Sequence, residues 1–123
     1  MENKTKQKII DAAIALFNTK GYTGTTVREI AKAAKTNIAN ISYYFDNKAG
    51  LQEYLISYFL DGYLRVLEES YQQLKVMNSK ECMILAIKAI MQYQKENRHL
   101  ARFVYREITL DNVLVREVMS TYL

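Results

Sequence analysis

The stretch TTVREIAKAAKTNIANISYYF, residues 25–45, decides the fold that we predict for this chain. Its start has the pattern of a capping box, because the hydroxyl oxygen of Thr26 can accept from the amide of Glu29 while the glutamate reaches back. A short helix and a tight turn follow, and Asn37 can cap a further helix that ends at about Phe45. Two short helices joined by such a turn are typical of a helix-turn-helix unit.

Helical periodicity continues on both sides of this unit. On its N-terminal side Ile9, Ala13 and Phe17 recur at helical spacing, and a glycine-containing segment ends that helix before Thr25. On its C-terminal side a long helix is predicted to about Leu74, with apolar residues on more than one stripe, as in a helix buried on two sides. Three further helices are predicted, at about residues 79–95, at about 98–109, and from a cap at Asp111 or Asn112 to the end. The fold class is therefore predicted to be all-α.

The composition narrows the classes of function. Proline is absent, and Cys82 is the only cysteine, so neither an intrachain disulfide nor a cysteine zinc site is possible. No apolar run approaches the roughly 18 residues that span a bilayer. Since the chain also lacks a phosphate loop, a nucleophile set and a carboxylate pair, we expect no enzyme, no cofactor and no metal site. A cytoplasmic location, associated with the nucleoid, fits best.

The positive charge is concentrated at the N-terminal end. Residues 1–48 carry eight basic and four acidic side chains, whereas residues 49–123 carry nine of each. A local positive field attracts a polyanion, and the phosphate backbone of nucleic acid is the commonest one. On charge alone, a solvated lysine-rich helix face explains the bias equally well.

The helix from Asn37 to Phe45 has the features of a rod that reads DNA bases. Only Ile41 and Phe45 are clear inward positions, so the others face outward, and they are small or short: Ile38, Ala39, Asn40 and Ser42. A major groove about 12 Å wide admits such a helix, in which Asn40 can pair with adenine and Ile38 or Ala39 can touch a thymine methyl. An ordinary solvated helix surface is the alternative interpretation.

Phosphate contacts are predicted beside this helix. Tyr43 and Tyr44 point about 100° apart on a helix, so at least one should expose a hydroxyl that can donate to phosphate. Lys48 begins the fourth helix, where unpaired amides favour an anion, and the amides near Thr26 offer the same. Lys6 can reach a phosphate as well, although a solvated tail explains it equally well.

Residues 8–52 resemble the TetR family of regulators in register and without a gap. The matching residues are Ile9-Ile10-Asp11-Ala12-Ala13, Leu16-Phe17, Lys20-Gly21-Tyr22, Thr25-Thr26-Val27-Arg28-Glu29-Ile30-Ala31, Ile41-Ser42-Tyr43-Tyr44-Phe45, Lys48 and Leu51. The resemblance implies backbone contacts from the positions of Thr26, Tyr43, Tyr44 and Lys48, and a base contact from Arg28. Lys35 departs from the usual turn glycine and Ser42 from a frequent tyrosine, which puts the target sequence in doubt.

The resemblance also implies how the chain is divided. It implies a helix-turn-helix DNA-binding domain at residues 1–48 and, at residues 49–123, the start of a helical regulatory and dimerisation domain. Because that domain normally needs more chain, we expect this sequence to be a fragment or an unusually short relative. A homodimer on a palindromic site of double-stranded DNA is expected, and a small apolar ligand is an option.

Within the family, the chain is most similar to the forespore capture proteins of endospore-forming bacteria. The resemblance rests on residues 27–32, 41–45, 102–107 and 116–123, and it implies binding to chromosomal sites and an influence on placement of the division septum during sporulation. The arginines Arg98, Arg102 and Arg106 share one helix face at spacings of four, and with Arg116 they could meet an acidic cell-division protein. A solvated face paired with Glu107 or other acids is the alternative.

Three functions therefore remain open at the level of the sequence. One is a chromosome-positioning protein, the second is a ligand-responsive transcriptional repressor, and the third is a protein-interaction bundle whose basic end is incidental. The position of the bound DNA sites on the chromosome separates the first two functions. The dependence of binding on salt separates both from the third.

Overall fold

The computed structural model describes residues 2–109 and 113–122, whose regular structure is entirely helical, as predicted. The helices are α1 (Glu2–Lys20), α2 (Val27–Ala33), α3 (Ile38–Phe45), α4 (Lys48–Gln72), α5 (Ser79–Glu96), α6 (Arg98–Thr109) and α7 (Val113–Tyr122). A 3₁₀ turn, Gln73–Lys75, follows α4, so the regular α-helix ends slightly before the predicted Leu74. The predicted caps of the last helix, Asp111 and Asn112, lie outside the described residues.

Helices α1 to α3, which we call the headpiece, pack around buried residues of a core that continues into the later helices. Ile9, Ala13 and Phe17 line the inner face of α1 at helical spacing, and all three are buried. They pack with Ile30 of α2 and Ile41 of α3, which are buried as well. Since these are the positions that the periodicity indicated, the prediction of a three-helix headpiece is confirmed.

The predicted start and turn of the helix-turn-helix form as the residue types suggest. The side chain of Thr26 accepts from the amide of Glu29, and the Glu29 carboxylate accepts from the Thr26 amide, which completes the capping box. Asn37 caps α3 by accepting from the amide of Asn40 at 2.9 Å. Lys35 adopts the left-handed conformation, with φ of 56°, at the position usually held by glycine. A non-glycine residue there costs on the order of 1 kcal/mol.

Helices α4 to α7, which we call the body, are built on the long helix α4. Helices α4 and α5 approach closely at Gly62, where the Tyr93 hydroxyl donates to the carbonyl of Phe59 at 2.8 Å. Cys82, at the start of α5, is buried, and its thiol lies 3.0 Å from the Ser70 carbonyl oxygen.

Helix α6 joins the body to the headpiece. The ring of Phe103 stacks on that of Phe17 of α1, with centroids 5.1 Å apart. Nearby, the Asn18 side-chain amide donates to the His99 carbonyl at 2.9 Å. The orientation of the headpiece on the body therefore depends on contacts made by α6.

The body carries exposed apolar side chains on α4 and α5. On α5 these are Met83, Ile84, Leu85, Ile87 and Met91, and on α4 they include Tyr58, Leu64, Leu67 and Tyr71. The prediction that α4 is buried on two sides is therefore confirmed only in part. Leu51, Leu55 and Phe59 are buried, whereas Tyr58 and Leu67 are exposed. Among the described residues, no helix is both long and apolar enough to cross a membrane.

Candidate nucleic-acid interface

The outer edge of α3 is presented to solvent. Ile38 is 43% exposed, Ala39 and Ser42 are exposed, and the inward residues Ile41 and Phe45 are buried against the headpiece and α4. The exposed side chains are short, so the helix backbone can approach the edges of base pairs in a major groove. The predicted geometry of this edge is confirmed, while the base contacts of Ile38, Ala39, Asn40 and Ser42 stay predictions.

Asn40 is the outward residue whose side chain is fixed from within the protein. Its side-chain nitrogen donates to the hydroxyl oxygen of Thr36 at 2.6 Å, and the residue is only half-exposed. This bond leaves the side-chain carbonyl oxygen and one amide hydrogen for a base, which is the pair of groups that matches adenine. The sequence did not indicate this bond, because a contact between side chains four residues apart across a helix start leaves no periodic signal.

The two adjacent tyrosines differ in exposure, as their separation of about 100° around the helix predicts. Tyr43 is 71% exposed, whereas Tyr44 is half-buried, with its ring 6.2 Å from that of Phe45. The rings of Tyr43 and Tyr44 meet edge to face at 5.0 Å. Tyr43 therefore has the exposure that a hydroxyl needs to reach a phosphate oxygen beside the groove.

Helix α2 presents Thr26 and Arg28 on the surface of the headpiece. Both are exposed, and the hydroxyl of Thr26 is already used in the capping box. The Glu29 carboxyl has a lowered pKa, first because Lys20 bonds to it and then because the Thr26 amide does. Glu29 is thus held ionised by its cap and by Lys20, and Arg28 stands beside it with its guanidinium in solvent.

Two predicted phosphate-contacting lysines have partners inside the protein. The Lys48 ammonium donates to the carbonyls of Tyr22 at 3.0 Å and Thr25 at 3.1 Å, and it lies 4.3 Å from the centre of the Tyr22 ring. The Lys6 ammonium lies 4.6 Å from the centre of the Tyr54 ring. Lys48 therefore fastens the loop before α2 to the start of α4, a structural role that the sequence did not indicate.

The arginines predicted as a partner surface are exposed. Arg98, Arg102, Arg106 and Arg116 all face solvent, and Arg106 also donates to the Asn18 carbonyl at 3.4 Å. Glu107 does not lie on that surface, because it is buried and bonded to Gln52. The charge of the neighbouring Arg106 nevertheless acts to lower the pKa of the Glu107 carboxyl, so the alternative in which acids pair with the arginine face stays open.

Comparison with known proteins shows which family the headpiece resembles. Residues 9–55 match the TetR_N domain, described as bacterial regulatory proteins of the tetR family. The whole chain is 50% identical, over 123 residues, to the "Probable HTH-type transcriptional regulator YttP" of Bacillus subtilis (strain 168), and it covers 59% of that protein. Over 70 residues, 54% of this chain, it is 41% identical to 38% of IcaR, the biofilm operon icaADBC negative transcriptional regulator of Staphylococcus epidermidis.

Solved structures extend the likeness to the body. The crystal structure of a HlyIIR mutant protein matches 96% of this chain and 63% of its own, with a TM-score of 0.73 and 28% identity. The arrangement of α4 to α7 around the headpiece is thus shared with a solved relative. The chain spans less than two thirds of the length of each of these relatives.

Proposed function

We propose that the chain is a regulator of the TetR type, because residues 9–55 match the N-terminal domain of that family, and that it binds double-stranded DNA specifically with α3 in the major groove. Ile38, Ala39, Asn40 and Ser42, with Arg28 from α2, read bases. Thr26, Tyr43, Tyr44, Lys48 and Lys6 contact or position the phosphate backbone. As a homodimer, the protein would read the two halves of a palindromic site.

One observation carries this proposal: the exposed, short-chained edge of α3. A helix enters a major groove only if its outer side chains neither clash with the groove walls nor pack into the protein. Ile38, Ala39 and Ser42 satisfy both conditions. Tyr43 stands beside them with most of its surface in solvent, where it can set the register of the helix on the backbone.

In the cell, the function that fits best is regulation of transcription. Two of the similar proteins are described as transcriptional regulators, and IcaR is described as a negative one. A ligand that moves α6 against α1 could change the headpiece orientation, because Phe103 stacks directly on Phe17. This contact offers a route by which a small apolar ligand bound to the body would act on DNA binding, as in a ligand-responsive repressor.

A second candidate is a role like that of RefZ, the forespore capture DNA-binding protein, in placing the division septum during sporulation. The exposed arginines Arg98, Arg102, Arg106 and Arg116 favour it, because planar charged groups suit an acidic protein partner. In that case the bound sites would be scattered on the chromosome near its origin. A repressor would instead occupy sites beside promoters, and genome-wide mapping of bound sites separates the two.

The test of DNA binding replaces Tyr43 and Tyr44 together by alanine. We expect specific binding to a duplex selected with the wild-type protein to be lost. The thermal unfolding midpoint should fall only by the packing that half-buried Tyr44 loses, because Tyr43 is exposed. Tyr71→Ala is the matched control, since Tyr71 is also a largely exposed tyrosine but lies on α4. A double variant that shifts this duplex at the wild-type protein concentration would contradict the contact assignment.

A further inference from the structure

Glu107 is a buried carboxyl that the proposed DNA contacts do not use. It is 2% exposed and accepts a hydrogen bond of 3.0 Å from Nε2 of Gln52, which is itself only 1% exposed. Burial raises the pKa of the Glu107 carboxyl, and the bond from Gln52 and the charge of Arg106 partly oppose this rise. Burying a carboxylate generally lowers stability relative to a well-packed apolar residue, so packing alone does not explain this residue.

The carboxyl lies where the headpiece meets the body. Gln52 belongs to the second turn of α4, whereas Glu107 is near the end of α6. Both Glu107 and Arg106 line a crevice whose other wall is the loop of residues 20–24. The pKa of Tyr22 in this loop is raised first by its own burial and then by the charge of Glu107, so the two groups act on each other.

Tyr22 links this carboxyl to the elements that face DNA. Its carbonyl and that of Thr25 accept from Lys48, the first residue of α4, whose ammonium also covers the Tyr22 ring. Thr25 precedes Thr26, the N-cap of α2. A displacement of Tyr22 would therefore reach both the start of α2 and the junction of α3 with α4.

The charged and titratable groups around Glu107 come from each neighbouring element. In the described part of the chain they are Tyr22 from the loop, Arg106 from α6 itself, Lys48 of α4 through the Tyr22 ring, and Lys20 at the end of α1. Lys20 is already bonded to Glu29. In the structure, the Glu107 carboxylate accepts a hydrogen bond from Gln52, which belongs to another element, α4.

On the basis of the proposed DNA-binding function, we propose that Glu107 is a positioning residue. Its ionised carboxylate holds α6 to α4, the two body helices that contact the headpiece, so that DNA affinity depends on the charge of this group. The ionised form only accepts hydrogen bonds, as it does from Gln52 here. A protonated Glu107 keeps a carbonyl oxygen that can accept from Gln52, but the bond is then between neutral groups and roughly half as strong. Protonation thus weakens the connection between α4 and α6 beside the Tyr22 loop, and DNA affinity falls.

The test uses Glu107→Gln, which resembles the protonated carboxyl in charge and shape. Affinity of the whole chain for the selected duplex is measured by fluorescence anisotropy between pH 5 and 8. At the upper end of this range we expect the variant to bind at least threefold more weakly than wild type. As the pH falls, the DNA affinity of wild type should decrease toward that of the variant, whose own affinity lacks this pH-dependent decrease. Glu117→Gln, which removes an exposed carboxyl on α7, is expected to follow wild type.

Thermal unfolding separates positioning from loss of fold. Because the folded-state pKa of Glu107 is raised, the ionised carboxyl destabilises the folded protein at a pH above that pKa. Glu107→Gln removes this cost, so its unfolding midpoint at pH 8 should equal or exceed that of wild type. Weaker DNA binding together with an undiminished midpoint supports the positioning role, whereas a loss of binding that parallels a lower midpoint overturns it.

A second variant, Gln52→Met, removes the donor and keeps the side-chain volume. We expect it to weaken DNA binding as Glu107→Gln does, and the double variant to be no weaker than either single one, since both remove one interaction. Equal affinity and equal pH profiles for Glu107→Gln and wild type would overturn the inference. Failure of the proposed function looks different, because wild type and the Tyr43→Ala, Tyr44→Ala double variant would then bind alike at every pH.

Discussion

A single hydroxyl, that of Thr36, controls how Asn40 is offered to a base. Because the Thr36 oxygen holds one amide hydrogen of Asn40 at 2.6 Å, the rotation of this amide is fixed before DNA arrives. Thr36→Val removes the acceptor and keeps the shape. We expect the preference at one base pair of each half-site to fall by about 1 kcal/mol or more. Competition with duplexes substituted at each position measures this preference.

The conservative variant Thr36→Ser supplies the control for this prediction, since it keeps the hydroxyl. Its base preferences should match those of wild type. Affinity of Thr36→Val for unrelated duplex DNA should be unchanged, because phosphate contacts dominate binding there. An unaltered preference profile for Thr36→Val would contradict the control of Asn40 by the Thr36 hydroxyl.

The structural role of Lys48 can be measured without DNA. Its ammonium donates to two backbone carbonyls, and hydrogen bonds from charged groups contribute roughly 1.5–3 kcal/mol each. Lys48 is partly exposed, so we expect Lys48→Met to lower the free energy of unfolding by about 1–2 kcal/mol. Denaturant titration measures this loss. Lys32→Met, which alters an exposed lysine of α2, should leave stability within about 0.5 kcal/mol of wild type.

At the scale of elements, Gly62 sets the distance between α4 and α5. A Cβ at this position would lie 2.2 Å from the Tyr93 hydroxyl oxygen and 2.7 Å from the ring carbon that carries it. Overpacking of this kind costs typically 1–3 kcal/mol, more than the roughly 0.5–1 kcal/mol that alanine gains over glycine within a helix. We therefore expect Gly62→Ala to lower the thermal unfolding midpoint.

The ring of Tyr93 provides the matched test of this cause. In a background of Tyr93→Leu the clash is removed, so adding Gly62→Ala should cost nothing further and should recover the alanine propensity. Gly62→Ala that stabilises the otherwise wild-type chain would show that α4 and α5 can separate without cost.

At the scale of the whole molecule, much of the fold could be predicted from the sequence because its cause is local. The capping box at Thr26 and Glu29 and the inward spacing of Ile41 and Phe45 involve residues within two helical turns. The pair Gln52 and Glu107 could not be predicted, since 55 positions separate them and neither type signals burial. The clamp of Lys48 on the Tyr22 carbonyl was missed for the same reason. The Lys48 contact joins the body to the headpiece, and the Gln52–Glu107 bond joins the two body helices that contact it.

The distribution of charge over the whole molecule leads to the last prediction. The positive excess lies within residues 1–48, and Lys32 is exposed on α2 four residues after Arg28, so both lie on one face of that helix. Each neutralised phosphate contributes about −0.9 to the slope of log affinity against log salt concentration. If Lys32 contacts a phosphate, Lys32→Gln should make the slope shallower by about 0.9 for each copy bound.

Lys80→Gln is the charge-matched control, because Lys80 is also exposed but lies at the start of α5 in the body. Both variants lower the net charge equally, so a long-range effect of net charge would change the two slopes alike. A local contact changes only that of Lys32→Gln. Equal slopes for the two variants would show that the net positive charge attracts DNA without a local contact from Lys32. Helix α2 would then not belong to the proposed interface.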